Sequence, residues 1–443
     1  MSSSRYRSRN RPAPAALATR NSTSRRGRVS DADAAITRDA SPWASLHQEL
    51  LDLIAWRVLA VDFRGYVRFR AVCAYWRSST ACPRGRGIVD LRFHPRQWMM
   101  LPEGHGLYPG HEKLQGFVPF FNLSTGAFVR VHLPLLSDHC VLDSIDGILL
   151  LLRDHDTVVR LLHPFTGDIL GFPPLKTHLS SVIGSTSLES KWHKWCNIKN
   201  INAAAMNVGA DEVVSLMILG AYGWSNVAFA TSGQRQWSVS SSLNRRSCSP
   251  FSFQGKIYAV RYNRSFTESE VLQIGPPQLE GVEPYLPPPT VIARCPASTP
   301  DTTYLYRLVE CAQEILVVSI RHNYKKVPVY KLADLMLGRA VPTTCIGGNA
   351  LFMEGRTLCV SSKAFPTIMG DTIVFLDCRK HYLAQYHLGS GTILSPAIDI
   401  SMYEMSGPCS IICHIYTCCF RKRWNKGEIA CRGQEDKWQV KEK

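Results

Sequence analysis

Two stretches of this 443-residue chain repeat one pattern: FNLSTG at Phe121–Gly126 and LHPFTG at Leu162–Gly167. A strand-like apolar segment follows each, Val129–Pro134 in the first copy and Ile169–Pro173 in the second. The two Thr-Gly pairs lie 41 residues apart, and four-stranded propeller blades recur every ~40 to 50 residues. A Thr-Gly pair also suits a hairpin turn that requires positive φ. The repeat therefore predicts a β-propeller, with a β-sandwich as the alternative.

The rest of the chain after Pro83 has a similar sequence pattern. Apolar and polar residues alternate between Gly, Pro, Asn and Asp punctuation, which is typical of strands and turns. We expect this region to be mostly β. The strand candidates are Phe128–Leu133, Ile148–Leu152, Val158–Leu162, Lys256–Arg261, Glu314–Ile320, Val327–Leu332 and Thr372–Asp377.

The chain before Pro83 is helical in pattern. One amphipathic segment has apolar residues at helical spacing, namely Leu46, Leu50, Leu53, Ile54 and Val58. A second apolar face within Tyr66–Ser78 comprises Val67, Phe69, Val72, Cys73 and Trp76. Two or three short helices cannot bury all these side chains among themselves, so the segment predicts a partner surface. The expected fold class is α+β multidomain, with a small helical module before a mostly β domain.

The helical segment resembles an F-box. The likeness lies in WASLHQELLDLI at Trp43–Ile54 and VRFRAVCAYWR at Val67–Arg77. It implies a trihelical box that binds a Skp adaptor, which bridges to cullin and RING subunits. It assigns adaptor contact or box packing to Leu46, Leu50, Ile54, Val67, Phe69, Val72, Cys73 and Trp76. His47 stands where the family usually has proline, so we expect weaker helix initiation and weaker docking.

The later part of the chain resembles the plant F-box family with a C-terminal KIB-type β-propeller. This resemblance implies a non-catalytic substrate-recognition subunit of an SCF-type E3 ubiquitin ligase, whose β domain binds an unknown target protein. A non-ubiquitinating scaffold with a degenerate F-box is the alternative. The motifs are YRLVE at Tyr306–Glu310, VYKL at Val329–Leu332, IGGNALF at Ile346–Phe352, SSKAFP at Ser361–Pro366 and IVFLD at Ile373–Asp377.

These patterns divide the chain into a disordered basic arm (1–40), an F-box (41–82), a linker (83–109), a propeller-like domain (110–400) and a flexible tail (401–443). The two ends, 1–30 and 420–443, hold 12 of the 16 net positive charges, so we expect no nucleic-acid partner. No apolar run approaches the ~18 residues of a membrane span, so we expect no membrane. We expect a nuclear or cytoplasmic protein with reduced cysteines, an organellar transit peptide being the other interpretation of the arm.

Motifs of catalysis are missing from the sequence. A nucleophile elbow, a Walker loop, a His-Glu-x-x-His pair and a Cys-x-x-Cys pair are all absent, so we predict no catalytic residue, cofactor or metal. Cys413, His414, Cys418 and Cys419 are interpreted as a partly exposed apolar segment, not a zinc site. The polar run 154–156 is interpreted as a hairpin tip. A hydrolytic enzyme is the third hypothesis, which a cleft with paired carboxylates would revive.

Overall fold

The computed structural model describes most of the chain from Leu46 to Ala397 and one later helix. All elements below belong to the compact unit that begins at His47. The described residues are 43, 46–101, 115–153, 155–175, 201–220, 226–240, 247–280, 283–297, 305–320, 326–354, 356–377, 382–394, 396–397 and 411–419. The predicted basic arm (1–40) lies outside them.

Three short helices open the unit: α1 (Gln48–Val61), α2 (Phe63–Arg70) and α3 (Ala74–Ser79). Asp62 separates the first two in an extended conformation, and its side chain caps α2 by accepting from the Gly65 amide at 2.9 Å. Cys73 caps α3, because its sulfur accepts from the Trp76 amide. The polar interruption after α1 thus starts a new helix. We call α1–α3 the helical module.

Within the described residues, the strands form seven sheets, of which six are the blades of a propeller and one is a two-stranded hairpin. Blade 1 has β1 (Trp98–Met100), β2 (Phe117–Asn122) and β3 (Phe128–His132). Blade 2 has β4 (His139–Ile145), β5 (Ile148–Arg153), β6 (Val158–Leu162) and β7 (Ile169–Pro174). Blade 3 has β8 (Ile201–Val208), β9 (Val214–Gly220), β10 (Val227–Thr231) and β11 (Ser238–Ser240).

Blades 4 to 6 follow in chain order. Blade 4 has β12 (Ser247–Phe253), β13 (Lys256–Tyr262), β14 (Ser269–Ile274) and β17 (Thr290–Arg294), with the hairpin β15 (Gln278–Glu280) and β16 (Glu283–Tyr285) inserted. Blade 5 has β18 (Leu305–Cys311), β19 (Glu314–Ile320) and β20 (Val329–Lys331), then helix α4 (Leu332–Met336). Blade 6 has β21 (Asn349–Met353), β22 (Thr357–Ser361), β23 (Thr372–Asp377), β24 (Tyr382–His387) and β25 (Thr392–Ile393).

The blades form a closed ring, because separate apolar clusters join each neighbouring pair. One such cluster joins Leu142 of blade 2 to Leu216 of blade 3. Another joins blade 6 to blade 1 and blade 1 to blade 2, through Phe352, Phe120 and Leu149. Each sheet is therefore covered on both faces, which explains why its strands are rich in buried aliphatic residues. The fold prediction of a helical module before a mostly β propeller is confirmed.

The repeat that predicted the propeller marks equivalent turns of two blades. Gly126 lies between β2 and β3 with φ 73°, and Gly167 lies between β6 and β7 with φ 78°. Both conformations are left-handed, where glycine carries no steric cost. The predicted strands match the observed ones within one residue at each end, except that Val327–Leu332 shortens to Val329–Lys331 because α4 begins at Leu332.

Two predicted boundaries differ from the structure. The predicted linker (83–109) supplies β1 and the fully buried Phe93. The predicted flexible tail (401–443) contains helix α5 (Ile411–Cys418), whose Ile412 and Ile415 are buried in the cluster that joins blades 6, 1 and 2. Apolar side chains at helical spacing explain why α5 packs there. Within the described residues, no helix is long and apolar enough to span a membrane.

Candidate protein-interaction site

The helical module has a core of its own. Leu51, Ala55 and Leu59 recur every fourth residue along α1 and are buried, so they form one face of the helix. Ala55 and Leu59 of this face pack with Phe63 and Tyr66 of α2 and with Phe93. The apolar pattern in the sequence did not predict this face, because the neighbouring stripe through Leu50 and Ile54 has a similar helical spacing. The four-residue spacing of Leu51, Ala55 and Leu59 is the sequence pattern that indicates the buried face.

Large apolar side chains of the module are also exposed. Leu50 and Leu53 of α1, Val67 of α2 and Val72 after it are 53, 50, 47 and 61% exposed respectively. Leu50 and Leu53 lie three residues apart, on one side of α1. We call these four residues the outward face. Large apolar side chains exposed together on a small helical module are typical of an interaction surface.

The residues assigned to the F-box divide into three groups. Leu50, Val67 and Val72 are exposed, while Leu46, Ile54, Phe69 and Cys73 are partly buried. Trp76 is buried and packs on Phe69, with the ring centroids 4.4 Å apart. Of the two roles predicted for Trp76, packing within the module is therefore the one that its burial favours.

Asp62 ties the helical module to blade 1. Besides capping α2, its carboxylate accepts a hydrogen bond from the Trp98 indole at 2.8 Å and one from the Asn122 amide at 3.4 Å. Trp98 belongs to β1 and Asn122 ends β2. A single carboxylate thus fixes both the start of α2 and the position of the module against the propeller.

The repeated turn provides a second tie. Asn122 and His163 occupy the same position in the two copies, and each accepts hydrogen bonds from backbone amides of its own turn. His163 also donates from Nε2 to the Phe93 carbonyl at 3.0 Å, next to the module core. Burial lowers the pKa of His163 to about 4. The imidazole therefore stays neutral, as its acceptor role at Nδ1 requires.

A pocket of about 710 Å³ lies where the blades converge. Residues of blades 1, 2, 4, 5 and 6 line it, together with the C-terminal end of α1 and the loop after Leu91. Its position therefore places it beside the helical module. Its lining includes the ionisable side chains of Asp62, Arg96, Asp146, Arg307, Glu310 and Cys359.

Besides Asp62, the pocket is lined by two carboxylates in different environments, Asp146 and Glu310. Burial raises the pKa of Glu310, and the nearby Asp146 charge raises it further. Burial acts the same way on Asp146, but the neighbouring His94 imidazole, with Nδ1 3.9 Å from the carboxylate, and the Arg96 guanidinium outweigh it and lower the Asp146 pKa. The Arg96 guanidinium lies 3.4 Å from the Asp146 carboxylate. The environments of these two carboxyls therefore shift their pKa values in opposite directions.

Two polar clusters singled out in the sequence have structural roles. Cys413, His414, Cys418 and Cys419 are buried, so the prediction of partial exposure was wrong. Within the described part of the chain, no group of three or more His, Cys, Asp or Glu side chains is arranged to hold a metal. At the tip of the β5–β6 hairpin, Asp156 is hydrogen-bonded to Arg153, whereas Asp154 lies outside the described residues.

Comparisons with known proteins agree with the architecture. No curated protein matches the chain at a significant level. The model of the KIB1-4 beta-propeller family matches residues 120–403, nearly two thirds of the chain. This match covers the six-bladed ring from β2 onward, and a propeller of this kind is a protein-interaction module. The chain belongs to the KIB1-4 beta-propeller family.

Proposed function

We propose that this protein is the substrate-recognition subunit of an SCF-type E3 ubiquitin ligase. Its helical module is an F-box that binds a Skp adaptor, and its propeller binds the target protein. The observation that carries the proposal is the outward face, which stays exposed on a module whose own core is complete. We place the protein in the nucleus or cytoplasm, and its role is non-catalytic.

The outward face supports the adaptor assignment on energetic grounds. Full burial of a Leu or Val side chain contributes about 1.5 to 3 kcal/mol. These four side chains are about half-exposed, so each contributes roughly half of that on docking and further contacts must offset the cost of association. Leu51, Ala55 and Leu59 already fill the inner side of α1. The outward face is therefore not needed to fold the module, and the F-box resemblance names its partner.

The ties between module and propeller support the ligase role. Asp62 connects the two parts by a hydrogen bond from Trp98, and His163 donates to the carbonyl of Phe93, whose side chain packs in the module core. Both parts belong to one compact unit. A target bound at the pocket would be held beside the adaptor-bound module. Such an arrangement raises the effective concentration of a target lysine near the ubiquitin thioester, without catalysis by this chain.

Reconstitution of the complete ligase tests the proposal. The full chain is co-expressed with a Skp adaptor, a cullin and a RING subunit, and ubiquitin transfer is then measured with E1 and E2 enzymes. The doubly substituted Leu50→Asp, Val67→Asp chain should neither co-purify nor support transfer. Val291→Asp is the matched control, because Val291 of blade 4 is as exposed as Val67, at 47%.

Each outcome separates the candidate functions. Co-purification and transfer that only the double substitution abolishes would support the proposal. Adaptor binding without ubiquitin transfer would favour a scaffold. A wild-type chain that does not bind the adaptor would reject the F-box assignment.

A hydrolytic enzyme is the second candidate, since the pocket holds paired carboxylates. Glu310, whose pKa is raised, and Asp146, whose pKa is lowered, have opposite shifts, as the acid and the base of acid–base hydrolysis require. The test incubates the full chain with a panel of nitrophenyl glycosides and esters. Turnover that the Glu310→Gln substitution abolishes would support an enzyme, and absence of turnover would leave the receptor proposal.

A further inference from the structure

Two cysteines from neighbouring blades meet in the wall of the ring. Cys311 ends β18 of blade 5, and Cys359 lies within β22 of blade 6. Their sulfur atoms are 3.1 Å apart, and both residues are free thiols. They are 48 positions apart in the sequence, so the propeller fold creates this pair.

The surrounding structure holds the pair in place. Both side chains pack in the apolar cluster that joins blades 5 and 6, with Val309 and Leu351 as neighbours. The Asn349 amide donates to the Cys311 sulfur at 3.6 Å. A disulfide requires sulfur atoms at ~2.05 Å, so bond formation needs a movement of only about 1 Å.

The two thiols differ in access and in protonation. Cys359 is partly exposed and lines the central pocket, whereas Cys311 is buried. The S–H of Cys359 donates to Cys311, which lowers the Cys311 pKa against the opposing effect of burial. The same hydrogen bond, together with burial, raises the pKa of Cys359. Once one of the two thiol protons is lost, the two sulfur atoms therefore share the other proton. The more accessible sulfur, that of Cys359, faces the pocket.

We propose that Cys311 and Cys359 form a peroxide-sensitive dithiol, which closes to a disulfide between blades 5 and 6. This site is independent of the ligase proposal. Disulfides in reducing compartments are characteristically transient and redox-sensing, and a small hydroperoxide is able to enter the pocket. Closure would link the two blades covalently.

The oxidation balances with hydrogen peroxide as the oxidant. The Cys311 thiolate, as the base, takes the Cys359 proton while the Cys359 sulfur attacks one peroxide oxygen. The O–O bond breaks, Cys359 becomes a sulfenic acid, and the leaving hydroxide takes the Cys311 proton to form water. The Cys311 thiolate then attacks the Cys359 sulfur, the S–O bond breaks, and hydroxide leaves and is protonated by solvent. Two electrons pass from the two thiols to peroxide, which yields two waters.

The disulfide should stabilise the ring, because it would cross-link residues far apart in the sequence. Restriction of the unfolded chain by a loop of this length predicts a Tm rise of about 5 °C. A thiol-disulfide reductant should reverse the shift.

Peptide mapping of the full chain tests the proposal. The protein is treated with hydrogen peroxide, remaining thiols are alkylated, and the digest is analysed by mass spectrometry with and without reductant. We expect a Cys311–Cys359 cross-linked peptide pair, lighter by two hydrogen atoms than the separate peptides, and lost on reduction. Cys359→Ser and Cys311→Ser should each abolish both the cross-link and the Tm rise.

Cys345→Ser is the control, because Cys345 is exposed and the substitution leaves the pair intact. It should form the same cross-link and show the same Tm rise as the wild type. The proposal is overturned if peroxide oxidises Cys345 while the pair stays reduced. It is equally overturned if Cys359 passes to sulfinic or sulfonic acid with Cys311 still a thiol. Circular dichroism of the reduced variants checks their folding, so that loss of the cross-link reports on the pair.

Discussion

The helical module and the propeller blades expose their apolar side chains differently. Each blade face is covered by the next blade, so most of the exposed apolar residues of the ring lie on outer strands and turns, such as Ile169 and Val291. The module has one face on its own core and a second face, Leu50 and Leu53 among others, on solvent. The helical module thus leaves apolar side chains exposed, whereas the blades cover one another.

The largest expected effect contrasts two adjacent leucines of α1. Leu51 is fully buried, and Leu50 is half-exposed. Leu51→Ala should lower the free energy of unfolding by about 3 kcal/mol, because it removes buried contacts and leaves a cavity. Leu50→Ala should change it by less than about 0.5 kcal/mol. Urea unfolding measures both, and equal losses would contradict the assignment of inner and outer faces.

The next effect concerns pH and the second tie between module and propeller. The folded-state pKa of His163 is about 4, below its usual value of about 6.5. Its contribution to stability is therefore present above pH 6.5 and is lost as the pH falls toward 4, at about 1.4 kcal/mol per pH unit.

His163→Asn is the informative substitution, because asparagine occupies the same repeat position at Asn122. The variant should show a shallower loss of unfolding free energy between pH 6.5 and 4. Burial also lowers the pKa of His414 to about 4. His414 should therefore contribute the same pH dependence to both proteins, and the difference between the two profiles reports on His163. An unchanged pH profile would show that His163 is not the neutral anchor described above.

Asp62 should have a smaller effect that is confined to the helical module. Asp62→Ala removes the α2 cap and leaves the Trp98 indole without this acceptor, which should cost about 2 kcal/mol. Hydrogen exchange should increase in α2 and near β1, with blades 4 and 5 as internal controls. Uniform exchange changes across all blades would contradict a local role.

The smallest effect concerns His47, which precedes α1 as its N-cap. Its φ is −58°, within the range of proline, and its side chain makes no capping hydrogen bond. His47→Pro should therefore raise stability by about 0.5 kcal/mol, through the entropy of the unfolded chain. A lower Tm for the proline variant would show that the histidine is needed at this position.

Sequence patterns predicted the propeller well, for physical reasons. Gly126 and Gly167 require left-handed turns, and their spacing equals one blade. Strands such as Val158–Leu162 are punctuated by turn residues on both sides, so their ends are local properties. The closure of the ring is different, since it depends on contacts such as Phe120 with Phe352 that link distant parts of the chain.

The candidate site was less predictable. Both stripes of α1 are apolar, so periodicity alone does not tell Leu50 from Leu51. Only the packing of the folded chain, which buries Leu51 and leaves Leu50 half-exposed, decides which one is covered. The pocket and the Cys311–Cys359 pair likewise result from blades that meet in space. The sequence alone contains no local pattern that predicts either of them.

The affinity of the full chain for a purified Skp adaptor tests the central claim most directly. Isothermal titration should give specific binding for the wild type and for Val291→Asp. Leu50→Asp should weaken the Kd by at least about 100-fold, because a charge would replace a leucine at the centre of the interface. An unchanged Kd for Leu50→Asp would contradict the outward face as the docking surface.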